Sequence, residues 1–96
     1  MLVNTGQTRV GLLSLCVWNI EGFLQKLDSS DVVGFLTSFD IFCLSETFVE
    51  FEFKSDLFSD FISFNAKAKK LSWHGRSSGG VMVFVRKSIA NSVKRV

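Results

Sequence analysis

LLSLCVWNIEGFLQKLDSSDVVGFLTSFDIFCLSET, Leu12 to Thr47, is the stretch from which the fold is read. From Leu12 to Trp18, Leu13, Leu15 and Val17 alternate with Ser14, Cys16 and Trp18, the two-residue period of a strand with both faces largely covered. Asn19 to Gly22 breaks the run. Asp28, Ser29 or Ser30 can cap a helix whose first turn holds Asp31, an anion suited to the positive end of the helix dipole. Val32, Phe35, Leu36 and Phe39 recur at helical spacing and give that helix one apolar face, while Gly34 weakens it. Ile41, Phe42, Cys43 and Leu44 are too few for a helix and apolar on both sides, as a buried central strand requires; this second strand ends at Ser45 and Glu46. Strand, short helix, strand predicts two parallel neighbours joined by a right-handed crossover. Their carboxyl ends then share one sheet edge, so Asn19 and Glu46 are expected to converge where open sheets usually hold ligands.

Outward from that unit, Thr47 to Asp60 carries Phe48, Phe51, Phe53 and Phe58 among acids without a clear period and reads as a loop with packed aromatics. Phe61 to Ala66 reads as a third strand, Lys67 to Ser78 as a polar basic loop, and Gly80 to Val85 as a fourth strand opened by Gly79 and Gly80. No repeat, linker or low-complexity tract interrupts the chain, so residues 1 to 96 read as one continuous fold segment.

Composition sets the outer limits. With 47% apolar and 21% charged residues the chain is of ordinary globular type, and 96 residues allow at most one domain. A domain of this size buries roughly 60 to 65% of its unfolded surface, enough for one modest core. The longest apolar run, Val81 to Val85, is far short of the roughly 20 residues that cross a bilayer, so no membrane partner is expected. Gly11 to Trp18 after Arg9 faintly imitates a secretory signal, but it contains Ser14, lacks a small-residue cleavage site and alternates like a strand. Cys16 and Cys43 lie in separate apolar segments without the close pairing of metal or redox motifs. Buried free thiols suit a reducing compartment, and a cytoplasmic or nuclear location is expected.

The net charge of +2 conceals a division. Residues 1 to 66 carry three basic side chains (Arg9, Lys26, Lys54) against nine acidic ones, whereas residues 67 to 96 carry eight basic ones and no acid. This asymmetry fits a polyanionic partner, because Lys and Arg that neutralise phosphates release counterions, but taken alone it is read first as a solvated basic face.

Glu46, after four apolar residues and a serine, must be paired or near a rim, since a lone buried charge is costly. It is either a strand-end carboxylate facing water or a ligand for Mg²⁺, a cation held by one or two protein oxygens that keeps several waters. Asn19 supplies an amide able to orient Glu46 or a phosphate oxygen.

Three segments carry a resemblance: WNIEGF (Trp18–Phe23), FDIFCLSET (Phe39–Thr47) and GRSSGGVMVFVRKSI (Gly75–Ile89). In this order and at these intervals the chain, over about residues 11 to 90, resembles the first half of the endonuclease/exonuclease/phosphatase superfamily. The branch it is most similar to is the endonuclease domain of non-LTR (LINE-type) retrotransposons. The resemblance implies an α/β fold, a partial DNase I-like sandwich comprising the first β-α-β-β-β portion of four layers. It also implies phosphodiester or phosphomonoester cleavage with Mg²⁺, or Mn²⁺ in its place, and no small-molecule cofactor. Asn19 and Glu46 match the family's catalytic asparagine and its metal-ligating glutamate in an LxET pattern, where the ion acts as Lewis acid on the developing phosphorane charge. Glu21 stands where many relatives have Asn or Asp, so the resemblance implies less directly a metal or water contact there. Gly79 and Gly80 match glycines at the start of the fourth strand, where backbone must pass close to its neighbours. For Lys67, Lys69, Lys70 and Arg76 the resemblance implies contacts to the DNA backbone.

The departures matter as much. The family's second half supplies a tyrosine, an Asp-x-Asn pair and an Asp-His pair that activate water and stabilise the leaving group. This chain has no Tyr, no acid after Asp60 and one histidine, His74, which reads as an exposed loop residue beside Trp73. These 96 residues are therefore expected neither to fold stably nor to cleave on their own, because the inner strand faces lack a second sheet and no group matches the proton acceptor. A phosphatase or sphingomyelinase-like branch and a non-catalytic polyanion-binding module are the alternatives. Oligomeric state is not legible.

Overall fold

In the computed structural model, residues 5–10, 13–70 and 77–92 are described. Among them five strands form one sheet. A strand that the sequence pattern did not announce, β1 (Thr5–Val10), lies antiparallel to β2 (Leu13–Asn19). The chain then makes a single turn of helix, α1 (Phe23–Lys26), and the anticipated helix α2 (Ser30–Thr37), before β3 (Ile41–Ser45). β2 and β3 are parallel, with Leu15 opposite Ile41 and Asn19 opposite Ser45. A 3-10 turn at Asp56–Phe58 precedes β4 (Phe61–Ala66); β5 (Lys69–Lys70) and β6 (Ser77–Ser78) pair as a short ladder, followed by β7 (Val81–Arg86) and α3 (Lys87–Ser92). β7 inserts between β3 and β4, antiparallel to both, giving the order β1-β2-β3-β7-β4. The result is a mixed α/β sheet consistent with a partial DNase I-like fold.

Ser29 caps α2, its hydroxyl accepting from the Val32 amide. The helix stops at Thr37, so Phe39 lies beyond it and packs edge-on against Phe35. Asp40 is the residue that fastens the crossover. Its carboxylate accepts from the Ser14 amide (3.0 Å), the Ser14 hydroxyl and Arg86 Nε (3.3 Å). The same guanidinium donates through Nη2 to the carbonyls of Thr37 and Phe39. The start of β3, the start of β2 and the end of β7 are thereby tied at one point. The Ser14 amide, opposed by burial and aided by Arg86 and the Ser14 hydroxyl, holds the Asp40 carboxyl below its ordinary value.

One face of the sheet carries the core. Cys16 and Trp18, Phe42 and Leu44, Met82 and Phe84, and Phe61 are buried there beneath Phe23, Leu36, Val49, Phe53 and Phe58. The aromatics of the 47–60 segment, read as a loop, are its cover: Phe58 lies 4.9 Å from Phe84, which stacks on Phe42 at 4.6 Å. Alternation puts Leu15, Val17, Ile41, Cys43, Ile62, Phe64, Val81 and Val83 on the opposite face, where Val17 (48% exposed) and Phe64 (61%) are open to solvent. The sequence period suggested that both faces of these strands are covered; among the described residues only one is. Burial pushes the Cys16 thiol up, with Cys43 nearby adding to it, and burial pushes up the Cys43 thiol as well.

Among the described residues no helix is long and apolar enough to cross a membrane. The basic segment Lys67–Ser78 is not wholly a loop, because Lys69 and Lys70 pair with Ser78 and Ser77 through the backbone.

Candidate functional site

Asn19 is the last residue of β2 rather than the one after it, and its strand partner is Ser45, the last residue of β3. Glu46 follows at once, so the amide and the carboxylate stand at the same border of the sheet, on adjacent strands about 4.8 Å apart. Glu21 joins them because the β2–α1 connection is stitched to the end of β3: Ile20 N donates to Ser45 O (3.0 Å), Gly22 N to Glu46 O (2.9 Å) and Phe23 N to Thr47 O (3.0 Å). From the other side Thr47 N donates to Gly80 O (3.2 Å) and Phe48 N to Gly79 O (3.0 Å).

The backbone at this border is unusual. Glu21 (φ 49), Glu46 (φ 53) and Phe48 (φ 60) adopt the left-handed conformation that residues with a Cβ rarely occupy, and Gly22, Gly79 and Gly80 have positive φ beside them. Such conformations persist only where surrounding bonds over-determine them, and they cluster at functional sites. Here each is adjacent to one of the stitching hydrogen bonds.

Electrostatically the border has an open demand. Asn19 Oδ1 is buried without a hydrogen-bond partner among the described residues, a costly state for a carbonyl oxygen. A cation, a donor on a substrate or an ordered water would satisfy it. Glu46 is half-buried and Glu21 exposed. Among the described residues no group of three or more His, Cys, Asp or Glu side chains is gathered. The oxygens at the border, the Glu46 carboxylate and Asn19 Oδ1, are hard donors of the kind that bind a divalent cation which keeps several of its waters.

Lys26 was not singled out in the sequence. Its ammonium donates to the carbonyls of Ile20 (2.7 Å) and Glu21 (3.3 Å), putting a fixed positive charge beside the border. Nothing in the pattern of LQKLD announces this. Asn65 has the other buried side-chain carbonyl without a partner among the described residues, but it stands on β4, two strands beyond β3, with its amide on the Phe51 carbonyl. Of the expected phosphate contacts, Lys67 and Lys69 are exposed. The side chain of Lys70, all of Arg76 and the pair Trp73–His74 lie outside the described residues.

A family model described as the endonuclease/exonuclease/phosphatase family matches residues 16–96. The chain belongs to that family. Members of the endonuclease/exonuclease/phosphatase family act on nucleic acid or other phosphoester substrates and are generally dependent on divalent metal. The match begins inside β2 at Cys16, takes in β3 and β7, and so contains Asn19, Glu21, Glu46 and the glycine pair. Neither the curated proteins nor the solved structures gave a match to the chain.

Proposed function

We propose that this chain is the N-terminal portion of a Mg²⁺-dependent endonuclease-like domain that cleaves phosphodiesters in DNA, of the kind found in retrotransposon-derived proteins. The observation that carries the reading is the meeting of Asn19, with its unsatisfied buried carbonyl, and Glu46 at one sheet border in a member of a phosphoester-cleaving family. Glu46 and, less directly, Glu21 are the residues that would hold the ion, and Mn²⁺ can take its place. When bound, the cation supplies Lewis-acid stabilisation of charge on the attacked phosphate. Asn19 orients the carboxylate or a phosphate oxygen through its amide. Lys26, and the exposed Lys67 and Lys69 with Lys70 and Arg76, attract the polyanionic backbone, which gives affinity without sequence preference. Its thiols suit the reducing environment of cytoplasm or nucleus.

Water activation is the part this chain does not supply. No acid follows Asp60, the chain has no tyrosine, and the carboxylates beside the border, Glu46 and Glu21, are the ones assigned to the cation. The chain alone is therefore expected to leave DNA uncut. Incubation with supercoiled plasmid and Mg²⁺ tests this: no relaxed product is expected, and EDTA-sensitive nicking lost in Glu46→Ala would refute the inactivity. The same residues joined to a second half that supplies the family's water-activating groups should nick plasmid. Hydrolysis of small phosphomonoesters instead would favour a phosphatase-like branch. The acid-free basic residues 67 to 96 favour one further reading, a non-catalytic polyanion-binding module. Salt-dependent DNA binding that needs neither metal nor Glu46 would select it.

A further inference from the structure

We infer that the contact between Thr47 and Gly80 is the device that sets the direction of the Glu46 carboxylate, making Thr47 and Gly80 positioning residues for metal binding. This rests on the proposed role of Glu46. The peptide group joining Glu46 to Thr47 is gripped from both sides, its carbonyl by the Gly22 amide and its N–H by the Gly80 carbonyl. Those two bonds hold Glu46 at φ 53, and the direction of its side chain follows from that backbone.

The grip on the β7 side depends on a close approach. Thr47 is 1% exposed, the one buried polar residue among those described, and its Oγ1 accepts from the Val49 amide at 3.4 Å. A Cβ placed on Gly80 would fall on Thr47 Oγ1, and would stand 3.2 Å from Ala68 Cβ. Gly79, also at positive φ (79), meets nothing within 4 Å. The two glycines thus share the conformational demand, but only Gly80 leaves its side-chain space to Thr47. An added methyl at Gly80 either turns Thr47 Oγ1 away from the Val49 amide or pushes Thr47 and β7 apart, and we infer the second, which lengthens the Thr47 N to Gly80 O bond and releases Glu46. At Gly79 the same methyl adds backbone strain alone. Outer residues that orient a metal ligand commonly change affinity by about 10- to 100-fold when altered.

The test is Mn²⁺ binding to the 96-residue chain, followed by electron paramagnetic resonance in trimethylamine N-oxide, which favours the compact state. Far-ultraviolet circular dichroism without metal reports folding. Gly80→Ala should weaken Mn²⁺ binding by about tenfold or more relative to Gly79→Ala. Thr47→Ala in the Gly80→Ala background should recover most of the loss, because the new methyl takes the space the threonine vacates. Should Gly80→Ala not fold, Thr47→Val compared with Thr47→Ala decides, since both lose the bond from the Val49 amide and only valine puts a methyl against Gly80: weaker Mn²⁺ binding in Thr47→Val than in Thr47→Ala supports the inference and equal binding overturns it. Equal losses in Gly79→Ala and Gly80→Ala, or no recovery in the double variant, also overturn it. If Glu46→Gln binds Mn²⁺ as the parent chain does, or the parent chain binds none, the proposed function itself fails and this inference with it.

Discussion

Asp40→Ala is the substitution with the clearest consequence for the sheet. It removes the acceptor of the Ser14 amide at 3.0 Å and the partner of Arg86 Nε at 3.3 Å. A partly buried amide left without a charged acceptor costs about 1.5 to 3 kcal/mol. The ion pair adds less than about 1 kcal/mol, because both side chains retain solvent contact (27% and 23% exposed). Arg86 keeps its bonds to the Thr37 and Phe39 carbonyls, so the loss is local and about 2 kcal/mol in total is expected. The pH dependence has a definite sign. The folded Asp40 carboxyl lies below its ordinary value of 3.8, so its stabilisation is present above that value and is lost as pH falls through the lowered one. Urea titrations of parent and Asp40→Ala chains in trimethylamine N-oxide should differ by about 2 kcal/mol near neutral pH, with the gap narrowing below about pH 4. A gap under about 0.5 kcal/mol, or one that does not change with acidity, would refute the latch.

Gly34 lies inside α2 with nothing within 4 Å of where a Cβ would sit, so Gly34→Ala should stabilise the chain by about 0.5 to 1 kcal/mol, read from the urea midpoint. Cys43 is half-buried on the open sheet face while Cys16 is fully buried beneath the helices, so iodoacetamide followed by peptide mapping should label Cys43 first; equal rates would contradict the one-sided core. Phe84→Ala, removing the ring stacked on Phe42 at the centre of the core, should cost about 3 to 5 kcal/mol or abolish the folded state, as judged by near-ultraviolet circular dichroism.

Much of this arrangement was legible because local pattern and tertiary outcome agree. The alternation around Leu15, a cap among Asp28, Ser29 and Ser30 and the apolar Ile41–Leu44 run together imply strand, helix and parallel strand with a shared carboxyl border, and the structure places the cap at Ser29. Other parts were not. β1 (Thr5–Val10) is mostly polar and is a strand because β2 offers it an edge, a non-local cause that no period reveals. Phe53 and Phe58 lack a period because they cover the sheet from an irregular segment, where aromatic size matters and spacing does not. The role of Asp40 had no local signal, because its partners Ser14 and Arg86 are distant in sequence. At the site, the glycine pair signalled an unusual backbone. The left-handed conformations of Glu21, Glu46 and Phe48 had no signal, since they are imposed by hydrogen bonds from three separate segments.

The most direct test of the metal-binding border is a Mg²⁺ titration of the ¹⁵N-labelled chain by NMR. The Asn19 side-chain amide and the backbone amides of Glu46, Thr47 and Gly80 should shift together with a single dissociation constant, and Glu46→Gln should remove the response. Shifts confined to other carboxylates such as Glu50 and Glu52, or a Glu46→Gln chain that responds as the parent does, would contradict the account.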